Sequence, residues 1–354
     1  MGGVKFAHMS HIWRKPGLSP GERYAQLWRE LELCDALGFD YGFAVEHHVD
    51  PKESLSPSPP LYVAGAAART RALRVGAMGW TVPLYDPLRI VEEVVALDHV
   101  TGGRLEVGLV SGALPKHFTP YRADFERRRE RAIEGYQLLK AACAASSGFS
   151  FKGPFHEYSD VALPMPPCQQ PHPPVWFETR HPPTLAYLAD EGVNTGYPHY
   201  VPRDEMAPLY REYLSRWREA GHVRPPLVNY WILVYVDETD DRAWEVAGPS
   251  WVYTYTEIAT LDNLIQSRIR RGELAGAELL EHFTDPPYMR AHDIGLIGSP
   301  DTVAAKLRQY AQEGFFNTLL GEFNFGLLTE EQVMRSIRLF GEEVIPRLRD
   351  FEPF

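Results

Sequence analysis

Cysteine is scarce in this chain: Cys34, Cys143 and Cys168 are the only three in 354 residues. Their wide spacing gives neither a metal-binding pattern nor a disulfide framework, and points to a reducing, cytoplasmic setting. Long apolar runs are missing too. No stretch approaches the roughly eighteen apolar residues of a membrane span, and the N-terminus has no signal-peptide core. Basic residues are outnumbered, 36 Lys and Arg against 47 Asp and Glu. The resulting net charge of -11 argues against nucleic acid or an anionic membrane as the main partner. Familiar short motifs are absent as well. Gly108-Leu109-Val110-Ser111-Gly112 lacks the dinucleotide fingerprint and the lysine of a phosphate-binding loop, and no Gly-x-Ser-x-Gly elbow occurs.

What is present is the composition of a soluble globular protein, 44% hydrophobic and 23% charged, with 30 prolines and 43 aromatic residues counting Phe, Tyr and Trp (17, 18 and 8). Strand and helix patterns alternate. Lys5 to Met9 reads as a first strand. Ser19-Pro20-Gly21-Glu22 is a helix start, and Leu27, Leu31, Cys34 and Leu37 form one buried helical face. Tyr41 to Val45, Leu73 to Trp80 and Leu105 to Val110 are the next strands, separated by helical stretches at Leu61 to Arg69 and from Asp86-Pro87 onward. A long helix is predicted from Ala123 to Ala144, then a small β excursion around the Gly153-Pro154 turn. Val175 to Glu178, Val193 to Gly196, Leu227 to Val236 and Thr318 to Leu320 complete eight strands.

This repeat predicts a TIM (β/α)8 barrel spanning 1–354 as one domain. About eighty residues between the seventh and eighth strands exceed an ordinary barrel connection. The insertion, 237–298, has helix-like pieces at Asp241 to Val246 and Glu257 to Arg270, and a Gly- and Pro-interrupted section, Gly272 to Pro287, that reads as an active-site lid.

The second strand ends directly in Glu46-His47-His48. Barrels place their chemistry at strand C-termini, so this carboxylate and two imidazoles are the first candidates; a structural histidine pair is the alternative. No second cluster of metal-ligating residues accompanies them, and no catalytic metal is expected.

Several segments, taken in order, resemble the bacterial luciferase-like flavin-dependent monooxygenases. They are Glu46-His47-His48, Leu73 through Pro83 with Asp86-Pro87-Leu88-Arg89, Leu97 through Leu105 with Gly108 and Gly112, Pro174 to Thr179, and Ile297 to Thr302. The resemblance implies that reduced FMN binds at the barrel mouth and reacts with O2 to a C4a-(hydro)peroxyflavin that oxygenates a small or medium organic substrate. It makes His47 the catalytic imidazole, with Glu46 and His48 beside it; an imidazole exchanges a proton near neutral pH. It places the flavin against Ala77, Met78 and Gly79, with a non-proline cis peptide at Met78-Gly79, and near Ser111 and Gly112. Its phosphate falls at Glu178-Thr179, a position equally compatible with an ordinary helix cap. The family's cysteine and arginine on the fourth strand are Val110 and Ser111 here, so Arg180 is the expected replacement phosphate clamp. The family's nearby aspartate is matched by His117. These departures argue against light emission. His11, Trp13, Trp80, Tyr85, His117, Tyr197 and Trp231, near strand ends, are the candidate substrate pocket. A separate NAD(P)H:flavin reductase would supply the reduced flavin. A homodimer is expected through Gly65 to Ala68 and Val91, Val94 and Val95. A deazaflavin-dependent hydride-transfer enzyme on the same barrel, and a non-catalytic flavin-binding or partner subunit, are the competing readings.

Overall fold

A computed structural model describes residues 3–198, 203–258, 282–292 and 294–353. Eight parallel strands form the barrel: β1 (Lys5–Ser10), β2 (Tyr41–Ala44), β3 (Arg74–Thr81), β4 (Leu105–Val110), β7 (Val175–Phe177), β8 (Thr195–Pro198), β9 (Val228–Val236) and β11 (Thr318–Glu322). Between β4 and β7 the strands β5 (Phe149–Lys152) and β6 (Glu157–Val161) make the antiparallel hairpin read from the sequence. A parallel bridge from Trp176 to Asn194 links β7 to β8, and β11 pairs with β1 from Lys5–Thr318 onward, so the ring closes. Closure removes the exposed sheet edge that an open sheet would have to protect.

Period-two alternation sorts the side chains. On β1, Ala7 and Met9 enter the lumen, where they join Phe43, Met78, Trp176 and Leu320, while Phe6 faces the helical layer. The first helix, Pro20–Ala36, carries the predicted capping box: Ser19 Oγ accepts from Glu22 N–H, and Glu22 Oε2 accepts from Ser19 N–H at 2.8 Å. Leu27, Leu31 and Cys34 bury on the barrel as their spacing requires, and Gly38, at φ +76°, follows the helix end.

Three differences from the sequence reading have local causes. The helix expected from Ala123 starts at Arg128, because Asp124 Oδ1 accepts from the N–H groups of Glu126 and Arg127 and builds a turn instead. A short helix, Pro115–Phe118, and a single turn at Thr119–Tyr121 precede it. The insertion after β9 is tied to the barrel by helix Asp240–Tyr253 and strand β10 (Leu296–Gly298), the latter pairing with Val234 to Val236. Residues 259–281, which hold most of the predicted second helix and much of the proposed lid, lie outside the described residues. Finally, Ala66, Ala67, Val91, Val94 and Val95 are buried within the chain, and Gly65 is packed on Trp28. Of the residues read as a dimer face, these serve the intrachain helical layer, while Ala68 is exposed.

The barrel wall is thinnest where β3 meets β4. The Met78-Gly79 peptide is cis, and the β3–β4 register shifts between Ala77 and Trp80. A Cβ on Gly79 would overlap the carbonyl oxygen of Gly108, and a Cβ on Gly108 that of Ala77. Backbone meets backbone here, with no flexible side chain to yield. Gly108→Ala is therefore expected to cost about 3 kcal/mol or more, read as a lowered urea midpoint, against a few tenths for an exposed substitution.

Candidate active site

Below the mouth the lumen is closed. Glu106, on the N-terminal half of β4, accepts from Trp176 Nε1 at 2.6 Å and pairs with Arg74 Nε at 2.5 Å. The aromatic and aliphatic plug stands above it, and the polar groups gather at the C-terminal strand ends.

There, three imidazoles are each set against a buried glutamate. His11, just beyond β1, has Nδ1 2.9 Å from Glu322 Oε2, and its backbone N–H donates to Glu322 Oε1 at 2.9 Å. Trp231 Nε1 donates to the same carboxylate at 3.2 Å. His47 Nδ1 lies 3.0 Å from Glu53 Oε1. His48 Nε2 lies 3.0 Å from Glu46 Oε1, while its Nδ1 meets the Tyr121 hydroxyl at 2.9 Å. Glu46 is further held by the Thr81 N–H and the Tyr85 hydroxyl. Glu46 and His48 thus brace the ends of β2 and β3 together, and His47 is the imidazole left partly open, with its side chain 24% exposed.

Around His47 stand the ring of His11, edge-on at 5.2 Å, and the ring of His117 at 5.5 Å. Trp13 stacks on His11 at 4.0 Å and Trp231 tilts against it at 4.6 Å. His11, Trp13, Tyr85, His117 and Trp231 are therefore brought together with the histidine pair. Trp80 and Tyr197 are not. Both are fully buried in the helical layer, Tyr197 against Tyr210, Tyr230 and Phe315. For Trp80 the reason is the register shift after Ala77, which reverses its side from lumen to exterior.

The electrostatics split the two facing histidines. Burial opposes charge on His47, but Glu53 more than offsets this, through its charge and its hydrogen bond, and raises the His47 pKa. Burial would raise Glu53; the charge and hydrogen bond of His47, with His11 and Lys116 nearby, hold it instead at about 2. His117 goes the other way, down to about 4, through burial first and the charge of His47 second. The folded pKa of Glu53 is depressed and that of His47 raised. Their pairing therefore stabilises the fold fully between the ordinary values of 4.5 and 6.5. That contribution is lost as pH falls toward about 2, or rises past the raised value of His47.

The residues expected to hold the phosphate lie at the end of β7 and the start of the next helix. Thr179 Oγ1 accepts from His181 N–H at 3.1 Å, at the start of helix Pro182–Glu191. Pro182 and Pro183 occupy its first positions and remove backbone donors that an anion would otherwise use. Side chains replace them: neither Arg180 nor Arg129 has an ion-pair partner among the described residues, and Arg129 is close enough to depress the pKa of His181. Glu178 at the end of this strand is pushed up to about 7 by burial, against a 2.5 Å donation from Asn229 Nδ2. A guanidinium with no ion-pair partner among the described residues and the Thr179 hydroxyl are groups that suit a phosphate. Gly79 and Gly108 let the β3 and β4 backbones meet, and Ser111-Gly112 leaves β4 beside them with Gly112 at φ +78°.

Glu53, Glu322, Lys116 and Tyr121 escaped the sequence reading. Glu322 had a usable signal, a carboxylate ending a barrel strand. Glu53 had none, since it lies in an irregular, proline-rich segment.

Two β-branched residues, Ile12 at φ +50° and Val49 at φ +51°, directly follow His11 and His48. Left-handed backbone at such residues costs on the order of 1–3 kcal/mol. Ser10 Oγ, accepting from Ile12 N–H at 2.9 Å, and Ser54 Oγ, donating to His11 O at 2.5 Å, hold the first of these turns. Val49 is 59% exposed and loses little packing on replacement. Val49→Asn, tolerant of this conformation, is expected to raise stability by about 1 kcal/mol in denaturant unfolding.

A sequence model described as luciferase-like monooxygenase matches residues 4–316. The oxygenase component of a flavin-dependent trigonelline monooxygenase from Acinetobacter baylyi is 24% identical over 96% of this chain and 94% of its own length. Among solved structures, the monooxygenase RslO1 from Streptomyces bottropensis superposes with a TM-score of 0.81 at 25% identity, covering 97% of this chain and 99% of that one. The oxygenating constituent of 3,6-diketocamphane monooxygenase from Pseudomonas putida, in complex with FMN, gives 0.78 at 19% identity over 98% and 99% of the two chains.

Proposed function

The chain belongs to the luciferase-like monooxygenase family, and from that premise we propose that it is the oxygenase of a two-component system. It is a flavin-dependent monooxygenase that uses O2 to oxygenate an organic substrate. FMN, when bound in reduced form, supplies the electrons and the oxygen-activating chemistry. The chain's own residues do the rest. Arg180, with Arg129 and the Thr179 hydroxyl, would hold the phosphate, and Ala77, Met78, Gly79, Ser111 and Gly112 would form the wall for the ring. The buried lumen beneath excludes water, which strengthens every charge interaction at the mouth. His47 is the proton donor, placed between Glu53 and the open mouth. Trp13, His11 and Trp231 form an aromatic wall that supports a flat or unsaturated substrate.

The observation that carries this reading is His47, the partly open imidazole at the C-terminal strand ends beside Glu53; Arg180 and Arg129, without an ion-pair partner among the described residues, support it. The absence of any dinucleotide fingerprint supports a separate NAD(P)H:flavin reductase as the source of reduced FMN; the relatives named as an oxygenase component and an oxygenating constituent support the same division of labour. A homodimer is part of the proposal: Leu61 and Val100, exposed on helices Pro59–Arg69 and Pro87–Val100, are the apolar side chains a second copy would cover.

Anaerobic equilibrium titration tests the cofactor assignment. Reduced FMN is expected to bind, and Arg180→Ala to weaken it by about tenfold or more, the loss of one charge-assisted phosphate contact. Reduced riboflavin, which has no phosphate, is expected to bind both forms equally. No binding of reduced FMN by the wild-type chain, or its O2-independent use as a hydride donor, would overturn the reading.

A further inference from the structure

The segment 50–58 is irregular, yet it carries a glutamate that is 6% exposed. Burying a carboxylate costs several kcal/mol unless it is paired. The cation that pairs with Glu53 at hydrogen-bond distance is His47; Lys116 stands 4.0 Å away and is itself held by Asp50 at 2.6 Å. The backbone around Glu53 is stitched to both neighbouring strand exits. Arg14 N–H donates to Glu53 O at 3.0 Å, Ser54 bridges to Trp13, Ser56 Oγ donates to Val45 O at 2.7 Å, and His47 N–H donates to Ser56 O at 3.0 Å. A loop fixed on two sides in this way holds one carboxylate in one place.

We propose that Glu53 is the positioning residue of the active-site imidazole: it fixes His47 through Nδ1 and leaves Nε2 as the atom that gives a proton to the reacting oxygen in the barrel mouth. The inference rests on the oxygenase reading above. His47 Nε2 has no hydrogen-bond partner among the described residues, and it is not among the sealed polar atoms. In the charged ring, both N–H groups are present: Nδ1, sealed from solvent, has the Glu53 carboxylate 3.0 Å away as an ion-pair contact in which the N–H is not aligned on the oxygen, and Nε2–H faces open space. In the step, the Nε2–H bond breaks and its proton passes to the reacting oxygen. The ring is left neutral with Nδ1–H still beside the Glu53 carboxylate, and water returns the proton to Nε2 before the next turnover.

The other groups facing His47 fit this assignment. From β1, the ring of His11 is spoken for by Glu322. On its own strand exit, Glu46 and His48 stand 3.0 Å apart, Glu46 accepting from Thr81 N–H and the Tyr85 hydroxyl, and His48 meeting Tyr121. From helix Pro115–Phe118 come Lys116, whose charge opposes that of His47, and His117, which burial keeps uncharged at neutral pH. One imidazole is set to give a proton and its neighbour to remain neutral.

Imidazole NMR of the full flavin-free chain, titrated with pH, tests the pairing directly; His47 is assigned by the resonance lost in His47→Asn. The wild-type ring is expected to titrate above the ordinary 6.5, Glu53→Gln to lower it by about one pH unit or more, and Lys116→Met to raise it. In turnover, Glu53→Gln is expected to move the alkaline limb of kcat down by about one pH unit and to lower kcat about tenfold at pH 8. KM and the dissociation constant for reduced FMN should stay within about twofold, and Glu53→Asp should recover part of the rate. An unchanged His47 titration in Glu53→Gln would overturn the proposal. Should that variant not fold, an unchanged titration in Lys116→Met would do so. Failure of the wild-type chain to bind reduced FMN would instead overturn the oxygenase reading, with the NMR result intact.

Discussion

A glutamate carboxylate buried at the end of a barrel strand is tolerable only when its charge is met, and that constraint organises the mouth of this molecule. Glu322 is met by His11 and Trp231, Glu46 by His48, Tyr85 and the Thr81 N–H, and Glu53 by His47. Each pairing fixes a ring whose orientation would otherwise be free, and each joins segments far apart in sequence. His48 meets a partner at both nitrogens, and the His11 ring, held at Nδ1 by Glu322, is stacked on Trp13 and against Trp231 and is 4% exposed. The third, His47, has a carboxylate on one nitrogen and open space at the other, which turns a structural device into a chemical one. The strain at Ile12 and Val49 belongs to the same arrangement: the chain turns sharply after each histidine-bearing exit so that the rings face one another across the mouth.

Much of the fold was legible in the sequence because strand and helix periodicities are local. All eight barrel strands, the hairpin after the long helix and the capping box at Ser19 follow from patterns a few residues long. What was misread depended on parity or on competition. Trp80 was placed toward the substrate because it lies near a strand end; the register shift between Ala77 and Trp80 sends it outward. Tyr197 sits in a four-residue strand, too short for its pattern to say which face it takes. Ala123 to Arg127 have helical composition, but Asp124 offers their backbone a different set of hydrogen bonds.

The site divides the same way. His47 was legible because it ends a strand, and Met78-Gly79 because it belongs to a recognisable run. Glu53 was not, since it becomes significant only when an irregular loop folds back over the strand exit. Arg180 was expected from the sequence as the phosphate clamp; the fold adds that Pro182 and Pro183 deprive the following helix start of N–H donors. Long-range pairings of single residues leave no periodic trace, and so the sequence localises the mouth while its internal chemistry waits on the fold.

The central claim is that this mouth controls how reduced flavin meets oxygen, with His47 as its proton donor. Rapid mixing of the anaerobic chain carrying reduced FMN with O2, followed by flavin absorbance, tests it most directly. The account predicts that bound flavin reoxidises in resolved phases distinct from free flavin, and that His47→Asn collapses them into one fast phase with release of hydrogen peroxide. Reoxidation indistinguishable from that of free reduced FMN, in wild type and His47→Asn alike, would contradict it.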